Sequence, residues 1–240
     1  MTIYLLNYMT GTELTTFVTG LNGGSTIDAT LLASLLVTSQ AILEEERPWM
    51  VLRKTDTSKS ASGSNTWQTS IDISTITDFS RFYDDFPVIL FDGNDRREYY
   101  RQVPFDRRLE YKDIGNTFCF DENAKLIYLN GVVPFSGTLY INYVSTSTAI
   151  DPTSASTIWP LFPTRFHYVL GFYAIGIFKG AVDYDSINKQ MLPENRATLG
   201  ALKNAMETWD NERQLSSLSY NDPTESGKYP RSGAINIHEN

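Results

Sequence analysis

A chain of 240 residues, 41% apolar and 20% charged, is one large domain or two small ones with enough apolar surface for a core. Twenty Lys and Arg against 28 Asp and Glu leave a net charge of −8, which argues against a general nucleic-acid-binding surface but not against a local basic patch. One cysteine, Cys119, excludes an internal disulfide framework and a thiolate zinc site. With only His167 and His238, a histidine metal site or triad is not expected, nor is any cofactor.

Residues 1–10 show no basic n-region and no small-residue cleavage site, so no secretory signal is read there. The longest apolar stretch, Phe166 to Phe178, is interrupted by His167, Gly171 and Gly176 and falls short of the roughly 20 apolar residues a membrane span needs. The expectation is a soluble chain made in a reducing compartment, with no membrane partner.

Residues 1–46 read as helical. A short helix around Glu13 to Leu21 ends in a Gly- and Asn-rich break. A longer one, with its N-cap read at Ser25–Thr26 and Asp28 in an acidic first turn, carries Ile27, Leu31, Leu32, Leu35, Leu36, Ile42 and Leu43 at spacings near 3.6. Glu44, Glu45 and Glu46 stand at its end against the helix dipole, and Pro48 stops it. They are either a solvated helix end or a face turned toward a partner's basic groups.

Residues 47–150 change to period two and predict a small antiparallel β domain of six or seven short strands. Trp49 to Leu52 reads as a strand and Lys54 to Asn65, rich in Ser, Thr and Lys, as an exposed loop. Thr66 to Ile73 and Pro87 to Phe91 follow as strands, the latter ending in a turn at Asp92 to Asp95. Phe118 to Phe120 and Leu126 to Leu129 form a hairpin. Thr138 to Val144 alternates, with Leu139, Ile141 and Tyr143 on one face.

Residues 151–216 return to helix after a loop. The first helix runs from Pro163–Thr164 to about Val182, with Gly171 and Gly176 costing about 1 kcal/mol each relative to Ala, which makes sense where another helix packs closely. Pro193 opens the second, with Leu199, Leu202, Met206 and Trp209 as its apolar stripe and Lys203, Glu207, Asp210 and Arg213 as its polar face. The predicted fold class is α+β: N- and C-terminal helices form a bundle around Leu32, Leu35, Phe172, Ile175, Leu199, Leu202, Met206 and Trp209. A small antiparallel β domain is inserted in it. Residues 217–240 are an extended tail whose Tyr220, Tyr229, Ile235 and Ile237 are candidate anchors for a docking partner.

Motifs for catalysis are missing: no G-x-S-x-G elbow, P-loop, G-x-G-x-x-G or H-E-x-x-H occurs. His167 lies in an apolar helix and reads as a packed residue. Asp78, Asp84, Asp85, Asp92 and Asp95 are the only paired-carboxylate opening, and turn chemistry accounts for them better than a hydrolase or Mg²⁺ site does. No enzymatic activity is expected. The most unusual stretch is Arg96 to Lys112, with six positive and three negative residues in an acidic chain. Arg96, Arg97, Tyr99, Tyr100, Arg101, Arg107 and Arg108 are candidates for a subunit or tail interface, since Arg and Tyr are enriched where proteins meet. A solvated strand surface and contact with phosphates are the other readings.

The order of "ERPW", "ITDFSRFYD", "YYRQVPFDRRLEY", "NTFCFDENAKLIYLNG", "YINYV", "WPLFPTRFHYVLGFYAIGIFKGAVD" and "NKQMLPENRATLGALKNAMETWDNE" resembles the head-to-tail adaptor (connector, head-completion) proteins of tailed bacteriophages over roughly residues 1–216. That resemblance implies a structural virion protein at the neck, made in the host cytoplasm. Its homo-oligomeric ring, typically twelve-fold, would join the portal protein to a tail or nozzle protein. Helices 164–182 and 193–215 would build the ring wall and the C-terminal segment would reach the portal. Genomic DNA would pass without sequence-specific contact, which an acidic lining favours. The family offers no catalytic residue to carry over. The alternative is another tail or baseplate component whose β domain binds protein or glycan; a carboxylate-dependent glycan hydrolase is a third class.

Overall fold

Thr10 and Glu13 cap each other's backbone N–H reciprocally and start helix α1 (Gly11–Leu21). Asp28 caps α2 (Ala29–Glu45) by accepting from the N–H groups of Thr30 and Leu31. The computed structural model describes residues 9–65, 67, 69–153, 159 and 161–219, the side chains of 215–219 excepted. The described residues divide into two units: one takes residues 9–52 and 147–219, the other residues 53–146.

In the first unit, a single 3-10 turn (Thr164–Phe166) leads into α4 (His167–Phe178), in which His167 and every residue from Val169 to Gly176 is buried; α3 (Arg108–Tyr111) belongs to the other unit. A helix apolar all round sits at the centre of its neighbours. Its two glycines mark close approaches. A Cβ on Gly171 would lie 2.6 Å from the Phe17 ring of α1, and one on Gly176 would lie 2.8 Å from Ile187 of α5 (Tyr184–Gln190). Phe17 meets the rings of Tyr168 and Phe172 edge-on, at 4.9 and 5.3 Å. Helix α6 (Pro193–Ser219) completes the unit and carries regular helix past residue 217, where the sequence predicts the extended tail to begin. The tail anchors Tyr220, Tyr229, Ile235 and Ile237 lie outside the described residues. Leu32, Leu35, Phe172, Ile175, Leu199 and Met206 are buried, while Leu202 and Trp209 are half-buried.

The polar face assigned to α6 is corrected at two positions. Lys203 and Asp210 are buried. Lys203 donates to Glu46, and Asp210 accepts from Arg47 Nη2 at 3.0 Å and from the Met50 N–H at 2.6 Å. Their partners lie some 160 residues away in sequence, so helical periodicity alone assigns them to solvent. Glu44 is drawn inward as well. With Gln40 it fastens the chain returning at residue 147: Gln40 donates to the Thr148 carbonyl (2.9 Å) and accepts from the Ile150 N–H (3.0 Å). Glu44 accepts from the Ser147 hydroxyl and from Trp159 Nε1 (3.0 Å).

The second unit overturns the expected helical bundle with a small antiparallel insert. With six helices and a curled, mixed sheet of eight strands among the described residues, the chain is α+β of a different kind. The strands are β1 (Arg53–Ala61), β2 (Thr69–Asp72), β3 (Phe79–Phe82), β4 (Val88–Phe91), β5 (Arg97–Val103), β6 (Thr117–Asp121), β7 (Leu126–Leu129) and β8 (Gly137–Ser145), ordered β1-β8-β4-β5-β6-β7-β2 with β3 also on β8. The predicted loop at Lys54 to Asn65 is largely β1. Its polar residues suit an edge strand, and six of them, with Ala61, pair with β8. The predicted strand at Trp49 to Leu52 is instead a 3-10 turn at Met50–Leu52. β5 and β6 run parallel, joined by a crossover holding a turn at Phe105–Arg107 and the short helix α3 (Arg108–Tyr111).

Strand alternation sends one side chain set inward. Val88, Leu90, Tyr100, Phe118, Ile127, Leu129, Leu139, Ile141 and Tyr143 form the inner core, with Phe79, Phe82 and Phe120 packed against it.

Candidate functional site

Registry places Ile89 beside Tyr99 on one side and Tyr140 on the other, and Phe91 beside Arg97 and Thr138. These residues therefore share the outer face of β4, β5 and β8. An outward face of an antiparallel sheet is ordinarily polar. Here Ile89, Phe91, Tyr99 and Tyr140 are only half-buried, and Phe86, at the approach to β4, is 40% exposed. Phe86 meets Tyr99, and Phe91 meets Tyr140, with rings at 78° and 71° to one another. The Arg97 guanidinium lies over the Phe91 ring, 5.0 Å from its centre, and Arg101 is exposed four residues further along the same strand face. The face thus combines large rings with arginines, the chemistry enriched at the centres of protein–protein contacts.

The arginine–tyrosine stretch is divided by this geometry. Arg97, Tyr99 and Arg101 reach the outer face. Tyr100 points into the core, its hydroxyl buried without a hydrogen-bond partner among the described residues, and burial followed by the nearby Glu98 charge pushes its pKa up to about 12. Arg96 lies over Phe135 at 4.4 Å, Arg107 pairs with Glu110 at 2.8 Å, and Arg108 covers Phe105 at 4.6 Å. Phe86, Ile89, Phe91 and Tyr140 complete the face and were not among the sequence candidates. The uninterrupted apolar run Val88 to Phe91 carries the signal for them, because a strand apolar at every position presents apolar side chains to both faces.

The helical unit holds a second feature, an open cleft of about 510 Å³ lined in part by Ile42, Glu45, Val182, Tyr184 and Glu207. At its inner end Tyr173 donates to Glu46 and Lys203 donates to both, with Lys203 also 4.4 Å from the centre of the Tyr184 ring. Burial, then the bond to Glu46, pushes the Tyr173 hydroxyl's pKa well up, so it stays protonated as a donor. Four carboxylates line the cleft (Glu45, Glu46, Asp183, Glu207) against two cations (Arg47, Lys203). Val182, which lines it, is 78% exposed, and Phe178 and Leu192, on either side of α5 in the sequence, are 43% and 58% exposed.

The clustered aspartates have local partners. Asp92 accepts from the N–H groups of Asn94 (2.8 Å) and Arg96 (3.2 Å), closing the turn before β5. Asp84 sits at φ 87° and accepts from the Asp85 N–H. Burial opposes ionisation of Asp78, but hydrogen bonds from Lys54 and Tyr143 outweigh it and hold its carboxyl below the usual range. Among the described residues no group of three or more His, Cys, Asp or Glu could hold a metal ion, and no helix is long and apolar enough to cross a membrane.

His167 is fully buried, with Nε2 donating to the carbonyls of Trp159 (2.9 Å) and Phe162 (3.0 Å) and Nδ1 lacking a partner among the described residues. Burial lowers its pKa, against the opposing pull of the two carbonyls. The unfolded chain therefore takes up this proton first as pH falls. Stability owed to neutral His167 is complete above about pH 7.5 and is lost progressively as pH drops through the ordinary histidine value of about 6.5. The urea midpoint is expected to fall between about pH 7.5 and about pH 5.5, and His167→Gln is expected to flatten that slope. An unchanged slope in the variant would assign the pH dependence to other groups.

No family model matches the sequence, and no curated protein matches it.

Proposed function

We propose that the chain is a structural virion protein, a head-to-tail adaptor that assembles into a ring between the capsid portal and the tail, extends the DNA channel and presents a docking surface to tail components. The observation that carries the reading is that three large apolar side chains in the segments on either side of α5 in the sequence, Phe178, Val182 and Leu192, are left in water. Large apolar side chains left in water favour a protein that completes itself by association. The outer sheet face supplies a second, chemically different surface, so the chain has what a joint between two partners needs. The test is mass determination by light scattering, alone and with the portal protein of the same virus. Assembly into a large closed complex, with or without the portal, is the expected result. A chain that stays monomeric under both conditions would overturn the proposal.

A second reading, a tail or baseplate component whose β unit binds protein or glycan, draws on the ring-rich outer face. Its glycan form needs flat ring planes open to a sugar. The Phe91 plane is covered by Arg97 and the other rings meet edge-on, which favours a protein partner over a saccharide.

A further inference from the structure

The sequence holds two Asn-Gly pairs, Asn22–Gly23 and Asn130–Gly131, and the fold treats them oppositely. Asparagine before glycine is the dipeptide most open to loss of the side-chain amide, because no Cβ on the following residue screens its backbone nitrogen. The reaction needs room. The peptide between the two residues must turn until that nitrogen reaches the asparagine Cγ.

Asn22 has that room. It ends α1, with Gly23 at φ 67° and Gly24 at φ 80°, and residues 23–26 are exposed. A Cβ built on Gly20, Gly23 or Gly24 would touch nothing within 4 Å, so nothing packs on the turn there. Asn22 Nδ2 donates to the Ser25 carbonyl at 3.0 Å in an exposed bond, and the Gly23 N–H donates to the Gly20 carbonyl at 3.1 Å. Bonds at a helix end open at little cost. Asn130 is fully buried instead. Its Nδ2 donates to the Thr117 hydroxyl at 3.1 Å, and the Gly131 N–H donates to the Lys112 carbonyl at 2.7 Å. A Cβ on Gly131 would lie 2.8 Å from Gly115, so turning this peptide requires the β unit to open locally.

We propose that Asn22 is a site of spontaneous deamidation in the native chain and that burial protects Asn130 from the same reaction. The Gly23 nitrogen attacks Asn22 Cγ. The new N–Cγ bond forms as Cγ–Nδ2 breaks, and Nδ2 leaves as ammonia with the proton given up by Gly23. Water then opens the cyclic imide. Attack at Cγ gives aspartate, and attack at the main-chain carbonyl gives isoaspartate, in which the backbone runs through Cβ and Cγ. Either product puts a carboxylate at the C-terminal end of α1, against the helix dipole, and sets an acceptor where Nδ2 had donated to Ser25. Helix α1 is held to α4 through Phe17, which fits against Gly171 and meets Tyr168 and Phe172, so a weakened helix end loosens that contact. None of this depends on what the chain assembles with.

The test ages the full chain in warm, mildly alkaline buffer and follows both pairs by peptide mass mapping, with isoaspartyl methyltransferase marking the isoaspartate. Asn22 is expected to convert about tenfold or more faster than Asn130, a ratio set by the local opening that Asn130 requires. In urea the two should convert within about threefold of one another, because the fold no longer separates them. Asn22→Gln should stop conversion at that position, since the longer side chain closes a larger and slower ring. Comparable rates at the two pairs in the native chain would overturn the proposal. An Asn130 that stays slow in urea would overturn it as well, because burial would not then be the cause. The aged fraction, separated by its extra negative charge, should melt below the fresh chain, and Asn22→Asp should reproduce part of that shift. Equal melting of the aged and fresh chains would overturn the loosening of α1.

Discussion

Trp159→Ala is expected to destabilise the helical unit by about 4 kcal/mol, the loss seen when a buried indole is truncated and its site only partly collapses. The side chain is fully buried and stacks on Phe162 with ring centres 3.9 Å apart, while Trp49 meets the same phenylalanine edge-on at 5.8 Å. Its Nε1 also donates to Glu44, a carboxylate that has left water. Two losses are therefore combined, and Trp159→Phe separates them. Phenylalanine keeps most of the ring stack but leaves Glu44 one donor short, for an expected cost of about 1–2 kcal/mol. Chemical unfolding followed by far-UV circular dichroism reads both. Equal losses in the two variants would show that the hydrogen bond, not the packing, holds this corner.

Asp210→Ala ranks next, at about 3 kcal/mol, the typical result of deleting one partner of a buried ion pair. The carboxylate is fully buried and accepts from Arg47 and from the Met50 N–H, so its removal leaves the backbone donor unsatisfied and Arg47, still held by Asn211, without its counter-charge. At roughly 2–4 °C per kcal/mol for a chain of this size, the melting temperature should fall by roughly 6–12 °C. Asp210→Asn keeps an acceptor for the amide and should lose less. Arg47→Met, added to Asp210→Ala, should restore part of the loss, because the orphaned charge goes with it. Strictly additive effects in that cycle would mean that the two side chains do not act as a pair.

These two residues also mark how far the sequence can be read. Local signals are legible: the hairpin of β6 and β7 and the alternation of β8 are encoded within a few residues of where they act, whereas the cap of α2, read at Ser25–Thr26, is supplied by Asp28. Gly171 and Gly176 are legible too, since a glycine inside a helix needs a neighbour close enough to justify it. Asp210 and Lys203 are not, because their partners arrive from the far end of the sequence and turn a polar stripe into a buried one. β1 hides behind Ser, Thr and Lys, a composition shared by loops and by edge strands. The parallel pairing of β5 with β6 depends on a crossover whose path no short-range pattern encodes. Of the proposed site, the arginines were visible, whereas the rings from β4 and β8 become a surface only once registry is known.

The division of the chain has a consequence in time. Helices α1 and α2 are synthesised first, yet the element they enclose, α4, follows the whole of residues 53–146. At ordinary translation rates that delay is roughly 5–20 s. The sheet unit draws on a continuous run of chain and can close while still attached to the ribosome. The helical unit cannot close until its second half emerges, so Leu14, Val18, Leu32 and Leu36 must wait in water without their partners. The newly made chain therefore passes through a stage with a finished sheet and an unfinished helical half. Chaperone binding and early aggregation should concentrate on that half.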